Sequence, residues 1–283
     1  MLQLLYLIGL TENAVDFNIQ PESYWTQLLN ELHPLPICDN ISHDSLFDGE
    51  LICYQHQKGY RFSIDSVLVA HFVEVRKNDR ILDLGTGSGI ISMLLLYRWR
   101  DRISEVSGIE IQQGLAELAR KNFQANNFEQ FGRIMQGDIK EIDKLVKPES
   151  YDKIVCNPPF YTPASGRTNE NPEAQLARHQ ILATLLDFLS ASAFAVKNGG
   201  VVSFIYPAEQ ICEFISSAKK VRLEIKKIQF VYSYPGKPAT ARLALVQCLK
   251  NGGGGTEIPP PFYIYCEKNG AYSSEMHDIY RKN

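Results

Sequence analysis

Between residues 79 and 247 short apolar runs alternate with longer stretches of helical spacing, and this rhythm constrains the fold more than any other feature of the chain. Residues 81–84, 105–110, 133–135, 151–156 and 201–206 read as strands, rich in Ile, Val and Leu and bounded by turn formers. Helical spacing lies between them, as in Leu115-Ala116-Glu117-Leu118-Ala119. A strongly apolar helix over 182–196 is stopped by Lys197-Asn198-Gly199-Gly200. Strands that alternate with helices predict an α/β domain, a parallel sheet with helices on both faces. Residues 221–232 and 243–249 add two strands, and the loop Pro235-Gly236-Lys237-Pro238 lets them run antiparallel.

Sheets of this kind bind ligands beyond the carboxyl ends of their strands. The first strand runs into Asp83-Leu84-Gly85-Thr86-Gly87-Ser88-Gly89 and then the apolar stretch Ile90 to Leu96. Gly85, Gly87 and Gly89 thus occupy a strand-to-helix turn, where small residues let backbone approach a ligand. The dinucleotide spacing would place its third glycine at position 90, which is Ile90. Asp83, two residues ahead of the turn, would repel a pyrophosphate and suits a cationic amino-acid group. The turn therefore points to S-adenosylmethionine (SAM) rather than NAD. Glu110 ends the second strand, where an acid accepts from ribose hydroxyls. Asp138 follows the third strand and is placed to meet an adenine amino group.

The fourth strand leads into Asn157-Pro158-Pro159-Phe160. An Asn side-chain oxygen and the Pro158 carbonyl can accept from the two hydrogens of a planar amino group. The prolines fix φ and remove backbone donors, which holds the carbonyls outward. The Phe160 ring offers a stacking face worth about 1–3 kcal/mol per nucleobase. Three acids at successive strand ends, a glycine turn and this motif form one site, with Asn157, Pro158, Pro159 and Phe160 at the acceptor.

The set Asp83, Gly85, Gly87, Gly89, Glu110, Asp138 and Asn157-Pro158-Pro159-Phe160 resembles the class I SAM-dependent methyltransferases, in the branch that methylates exocyclic or amide nitrogens. Further segments are similar to the tRNA (adenine-N6) methyltransferases that modify the adenine beside a valine-tRNA anticodon. These are the stretch from His56 through Tyr60, Phe62 and Asp65 to Ala70, then Ala177-Arg178-His179-Gln180, Tyr206-Pro207-Ala208-Glu209 and Tyr272-Ser273-Ser274-Glu275. The resemblance spans residues 44–281 and implies a Rossmann-like seven-stranded sheet, mostly parallel with one antiparallel strand. It also implies that Phe62 and Asp65 close over the methionine end of SAM. Related enzymes that modify a protein glutamine carry Tyr where this chain has Phe160, which favours a nucleobase. The alternatives are a guanine N2, a glutamine amide, or a catalytically silent RNA-binding protein of the same fold.

Three parts follow: an acidic N-terminal extension over 1–43, a methyltransferase domain over 44–250 and a C-terminal tail over 251–283 that packs on the domain. Residues 1–50 hold eight acids and no Lys or Arg, whereas 219–250 hold eight bases against Glu224 alone. That basic stretch is a candidate phosphate-facing edge, and equally a solvated face on edge strands. The polar segment 161–180 reads as a lid, with Arg167 and Arg178 available to a phosphate or a base. Six scattered cysteines without a Cys-x-x-Cys pair indicate neither a disulfide framework nor a metal site, and fit a cytoplasmic protein. No apolar run reaches the roughly 18 residues that a membrane helix needs.

Overall fold

The structure is a computed structural model that describes residues 41–56, 63–159, 183–236 and 240–281. Strands β1 (Ile41–Leu46) and β2 (Leu51–His56) form an antiparallel hairpin. The alternating part follows as α1 (Ile64–Phe72), β3 (Asp79–Leu84), α2 (Ile90–Trp99), β4 (Ile103–Glu110), α3 (Gln113–Ala125), β5 (Gly132–Gln136), α4 (Ile142–Leu145) and β6 (Tyr151–Cys156). Then come α5 (Leu185–Ala195), β7 (Val196–Pro207), α6 (Ile211–Lys220), β8 (Leu223–Tyr232), β9 (Leu243–Lys250), β10 (Phe262–Tyr263) and α7 (Ser274–Tyr280). The main sheet has the order β10-β8-β9-β7-β6-β3-β4-β5, and β9 runs antiparallel to both its neighbours.

This sheet has eight strands among the described residues, where the sequence predicts seven. The extra one, β10, is two residues long and pairs parallel with Val231 and Tyr232 of β8, too short to carry a periodicity. The boundary drawn at residue 44 also falls inside a strand, since β1 pairs with β2 from Ile41 to Leu46. The helix ends at Ala195, just before the expected stop at Lys197 to Gly200, but these four residues already belong to β7, which was expected from residue 201. Val196 already pairs with Tyr151 of β6, a register shift absorbs the extra residues, and Gly199 takes φ +71° there.

The central strands are apolar on both faces because both are covered. On β3, Ile81 joins a core built with α1, α2 and α3, whereas Leu82 and Leu84 join a second core with α5 and α6. Helix α3 buries Leu115, Ala116, Leu118, Ala119 and Phe123 on one stripe. The hairpin is sewn onto that helix by two amides. Asn122 Oδ1 accepts from Tyr54 N at 2.7 Å while its Nδ2 donates to Tyr54 O and Ser88 O. One helical turn on, Asn126 exchanges both bonds with the backbone of Ile52.

The order of the strands places a topological switch beside β3. The chain proceeds from β3 outward through β4 to β5, then returns to β6 on the other side of β3. Loops leaving β3 and β6 therefore diverge and leave a crevice at the carboxyl edge of the sheet.

Candidate active site

A cavity of about 300 Å³ opens at that crevice. Its walls bring together Gly85 and Gly87 after β3, Glu110 at the end of β4, Asp138 after β5, and Asn157, Pro158 and Pro159 after β6. Asp65, at the start of α1, lies on the same wall. Phe62, Phe160, Arg167, Arg178 and the segment 161–180 lie outside the described residues.

Gly85 shows why the turn is glycine-rich. Its φ is +71°, and a Cβ there would sit 3.2 Å from Cε1 of Phe188 on α5. Gly85 N and Thr86 N both donate to Ile109 O at 2.9 Å, which ties the turn to β4. Gly89, unlike the other two glycines, is not on the cavity wall. It caps α2 at φ +85°, where a Cβ would meet Ala119 of α3 at 3.2 Å.

Glu110 is buried, and its two oxygens accept from Gly87 N and Gln112 N, each at 2.9 Å. Burial raises its pKa against these backbone bonds. The carboxylate thus grips the glycine turn and the loop after β4 together. Asp138 Oδ1 accepts from Lys140 N at 2.9 Å, and the Lys140 ammonium stands 3.4 Å from Oδ2.

Asp83 lies beneath the turn, fully buried and absent from the cavity wall. Its Oδ2 accepts from Thr86 Oγ1 at 2.6 Å and from Ser92 Oγ at 2.8 Å. Burial outweighs these bonds and pushes its pKa up to about 6. Oδ1 is buried without a hydrogen-bond partner among the described residues. A buried carboxylate oxygen of this kind suits a cationic group close above the turn.

Ser63 caps α1, its Oγ accepting from Asp65 N at 3.3 Å, and burial raises the Asp65 pKa. Asn157 Nδ2 donates to Ser66 Oγ of the same helix at 3.3 Å. Sequence reasoning missed Ser66, which reads as one more residue of an apolar helix. It also missed Phe188, hidden in the run over 182–196, and the Thr86 and Ser92 hydroxyls on Asp83. Ser92 sits two residues into α2, on the face above β3, so its position in the helix was the available signal.

Residues 62–191 match the family described as the methyltransferase small domain. A crystal structure of a predicted O-methyltransferase from Agrobacterium tumefaciens superposes with a TM-score of 0.62 at 20% identity, covering 76% of this chain and 94% of that one. At that identity the likeness establishes the fold. The chain is accordingly a SAM-dependent methyltransferase, with SAM as its cofactor, and it resembles the class I enzymes. Within that class it resembles the tRNA1(Val) (adenine(37)-N6)-methyltransferases. It is 25% identical to that protein of Photobacterium profundum over 65% of this chain and 76% of the relative. It is 27% identical to that of Aeromonas salmonicida over 77% of this chain and 89% of the relative.

Proposed function

We propose that the protein transfers the methyl group of SAM to N6 of an adenine in the anticodon loop of a tRNA. The observation that carries the reading is the placement of Asn157, Pro158 and Pro159 on the same cavity as Gly85, Glu110 and Asp138. A donor site and an amino-group acceptor site share one wall. The named relatives supply the tRNA and the adenine.

In this reading Glu110 accepts from the ribose of the cofactor, Asp138 from its adenine amino group, and Asp65 faces its cationic methionine end while Asp83 acts on that end from beneath the turn. The cofactor supplies an activated methyl group. The protein's own task is to orient the acceptor nitrogen and exclude water. The adenine amino lone pair is delocalised into the ring, which makes it a poor nucleophile. Asn157 Oδ1 and the Pro158 carbonyl accept its two hydrogens and hold the nitrogen towards the donor. No strong base is required beforehand, because the proton can leave after transfer. Reaching such a site requires an unstacked base, which an anticodon loop presents at little cost. The substrate places the activity in the cytoplasm; among the described residues no helix is long and apolar enough to cross a membrane.

Incubation with labelled SAM and unmodified total tRNA, followed by nucleoside mass spectrometry, tests the reading. N6-methyladenosine is expected. A methylated guanine, or label in a protein glutamine, would reassign the acceptor, and failure to bind SAM would favour a silent RNA-binding protein. Asn157→Ala is expected to bind SAM normally by calorimetry yet lose at least about a hundredfold in turnover, the scale of removing a transition-state donor or acceptor. Equal turnover in the two proteins would sink the mechanism.

A further inference from the structure

Ser66 touches no wall of the cavity, yet it holds the residue on which the proposed chemistry depends. It lies one turn into α1, is 1% exposed, and its Oγ is 3.3 Å from Nδ2 of Asn157. This is the only hydrogen bond of the Asn157 side chain among the described residues. The two polar atoms of a primary amide diverge from one carbon. With Nδ2 turned towards the buried helix, Oδ1 is turned away from it, and Asn157 is also a residue of the cavity wall. An amide rotated by half a turn would present two donors to the cavity instead, and these would oppose an incoming amino group.

The helix itself is fixed in place. Val67, Leu68, Val69 and Ala70 are buried, Ser63 caps its first turn, and its contacts run to β6, β7 and β9. The Ser66 hydroxyl therefore sits on a rigid element packed against the strand that delivers Asn157, and not on a loop.

We propose that Ser66 is a positioning residue that orients the Asn157 amide, so that Oδ1 is the acceptor presented to the substrate amino group. The assignment rests on the acceptor role given to Asn157 above. It gives α1 two tasks at once: Asp65 faces the cavity while Ser66, next in sequence, reaches sideways to the acceptor motif. It also predicts that the hydroxyl matters and the volume does not.

The test uses the full chain with Ser66→Ala and Ser66→Thr. Calorimetric SAM affinity is expected to stay at the wild-type value in both, and the melting temperature to fall by no more than a few degrees. With saturating SAM and unmodified tRNA, single-turnover transfer by Ser66→Ala is expected to slow about three- to tenfold, the worth of one neutral hydrogen bond. Ser66→Thr is expected to keep most of the rate. A second readout needs no substrate: in labelled apo-protein the side-chain amide resonances of Asn157 should shift in Ser66→Ala and stay close to wild type in Ser66→Thr. Wild-type rate in Ser66→Ala, or an unmoved amide pair, overturns the assignment. So does a rate loss in Ser66→Thr equal to that in Ser66→Ala. If wild-type protein methylates no tRNA, the proposed function fails instead, and the amide resonances still decide the role of Ser66.

Discussion

At the scale of single residues, Asp83 and Asn157 have different surroundings, which fit the different roles proposed for them. Asp83 carries its charge in a site with no exposure, held by two hydroxyls and, among the described residues, short of a partner on Oδ1. Its folded pKa of about 6 stands above the ordinary 3.8. Below pH 3.8 folded and unfolded chains both keep the proton. Between 3.8 and about 6 the unfolded chain releases it first, so this group lowers stability as pH rises through that window, by at most about 3 kcal/mol. Asp83→Asn is expected to remove that slope and to be more stable than wild type at pH 7. Urea melts of both proteins at pH 4.5 and 7 measure the difference, and parallel pH dependence would contradict the account. The cationic end of SAM favours the ionised carboxylate, so binding near pH 6 should release a proton. Calorimetry in two buffers of different ionisation heat reads that proton directly, and Asp83→Asn should abolish it while weakening binding.

At the scale of elements, the hairpin shows how strongly a helix can specify a strand. Asn122 in the last turn of α3 and Asn126 at its C-cap present amides four residues apart, and each mimics the edge of a further strand towards β2. Asn122 Nδ2 also donates to Ser88 O, a carbonyl in the glycine turn, so one side chain joins the hairpin to that turn. Asn122→Ala leaves Tyr54 N, Tyr54 O and Ser88 O without this partner and is expected to cost about 2–4 kcal/mol. Hydrogen exchange should quicken at Tyr54 before it does in the central strands; uniform protection in the variant would show that the amide does not hold the hairpin. The basic stretch over 219–250 is also resolved at this scale. Lys227 pairs with Glu74 and Glu257, Lys250 with Glu149, and Lys226 donates to the carbonyls of Gly253 and Gly254. These three bases hold strands and loops together, so the count of charges overstated the phosphate-facing edge.

Across the whole molecule, segments distant in sequence meet on one face of the sheet. Leu51 and Cys53 of the hairpin, Val67 to Ala70 of α1, and Ile264, Met276 and Ile279 near the C-terminus belong to a single core. Met276→Ala, at a site with no exposure, is expected to lower stability by about 2–4 kcal/mol in urea melts, and a loss below about 1 kcal/mol would mean that α7 is merely laid on the surface. The alternation of strands and helices, the glycine turn, the acids at three strand ends and Asn157-Pro158-Pro159 were all legible in the sequence. Each is local: a period, a φ requirement, or a carboxylate at a fixed distance from a turn. Tertiary structure alone decided which of them face the cavity. It withdrew Gly89 to a helix cap against Ala119 of α3, and Asp83 to a place beneath the turn under the hydroxyls of Thr86 and Ser92. It added β10, whose two residues gain their pairing from β8 and not from any pattern of their own. It also brought Ser66 to Asn157 across 91 positions. No local rule encodes that distance, since it follows from how α1 packs on the sheet.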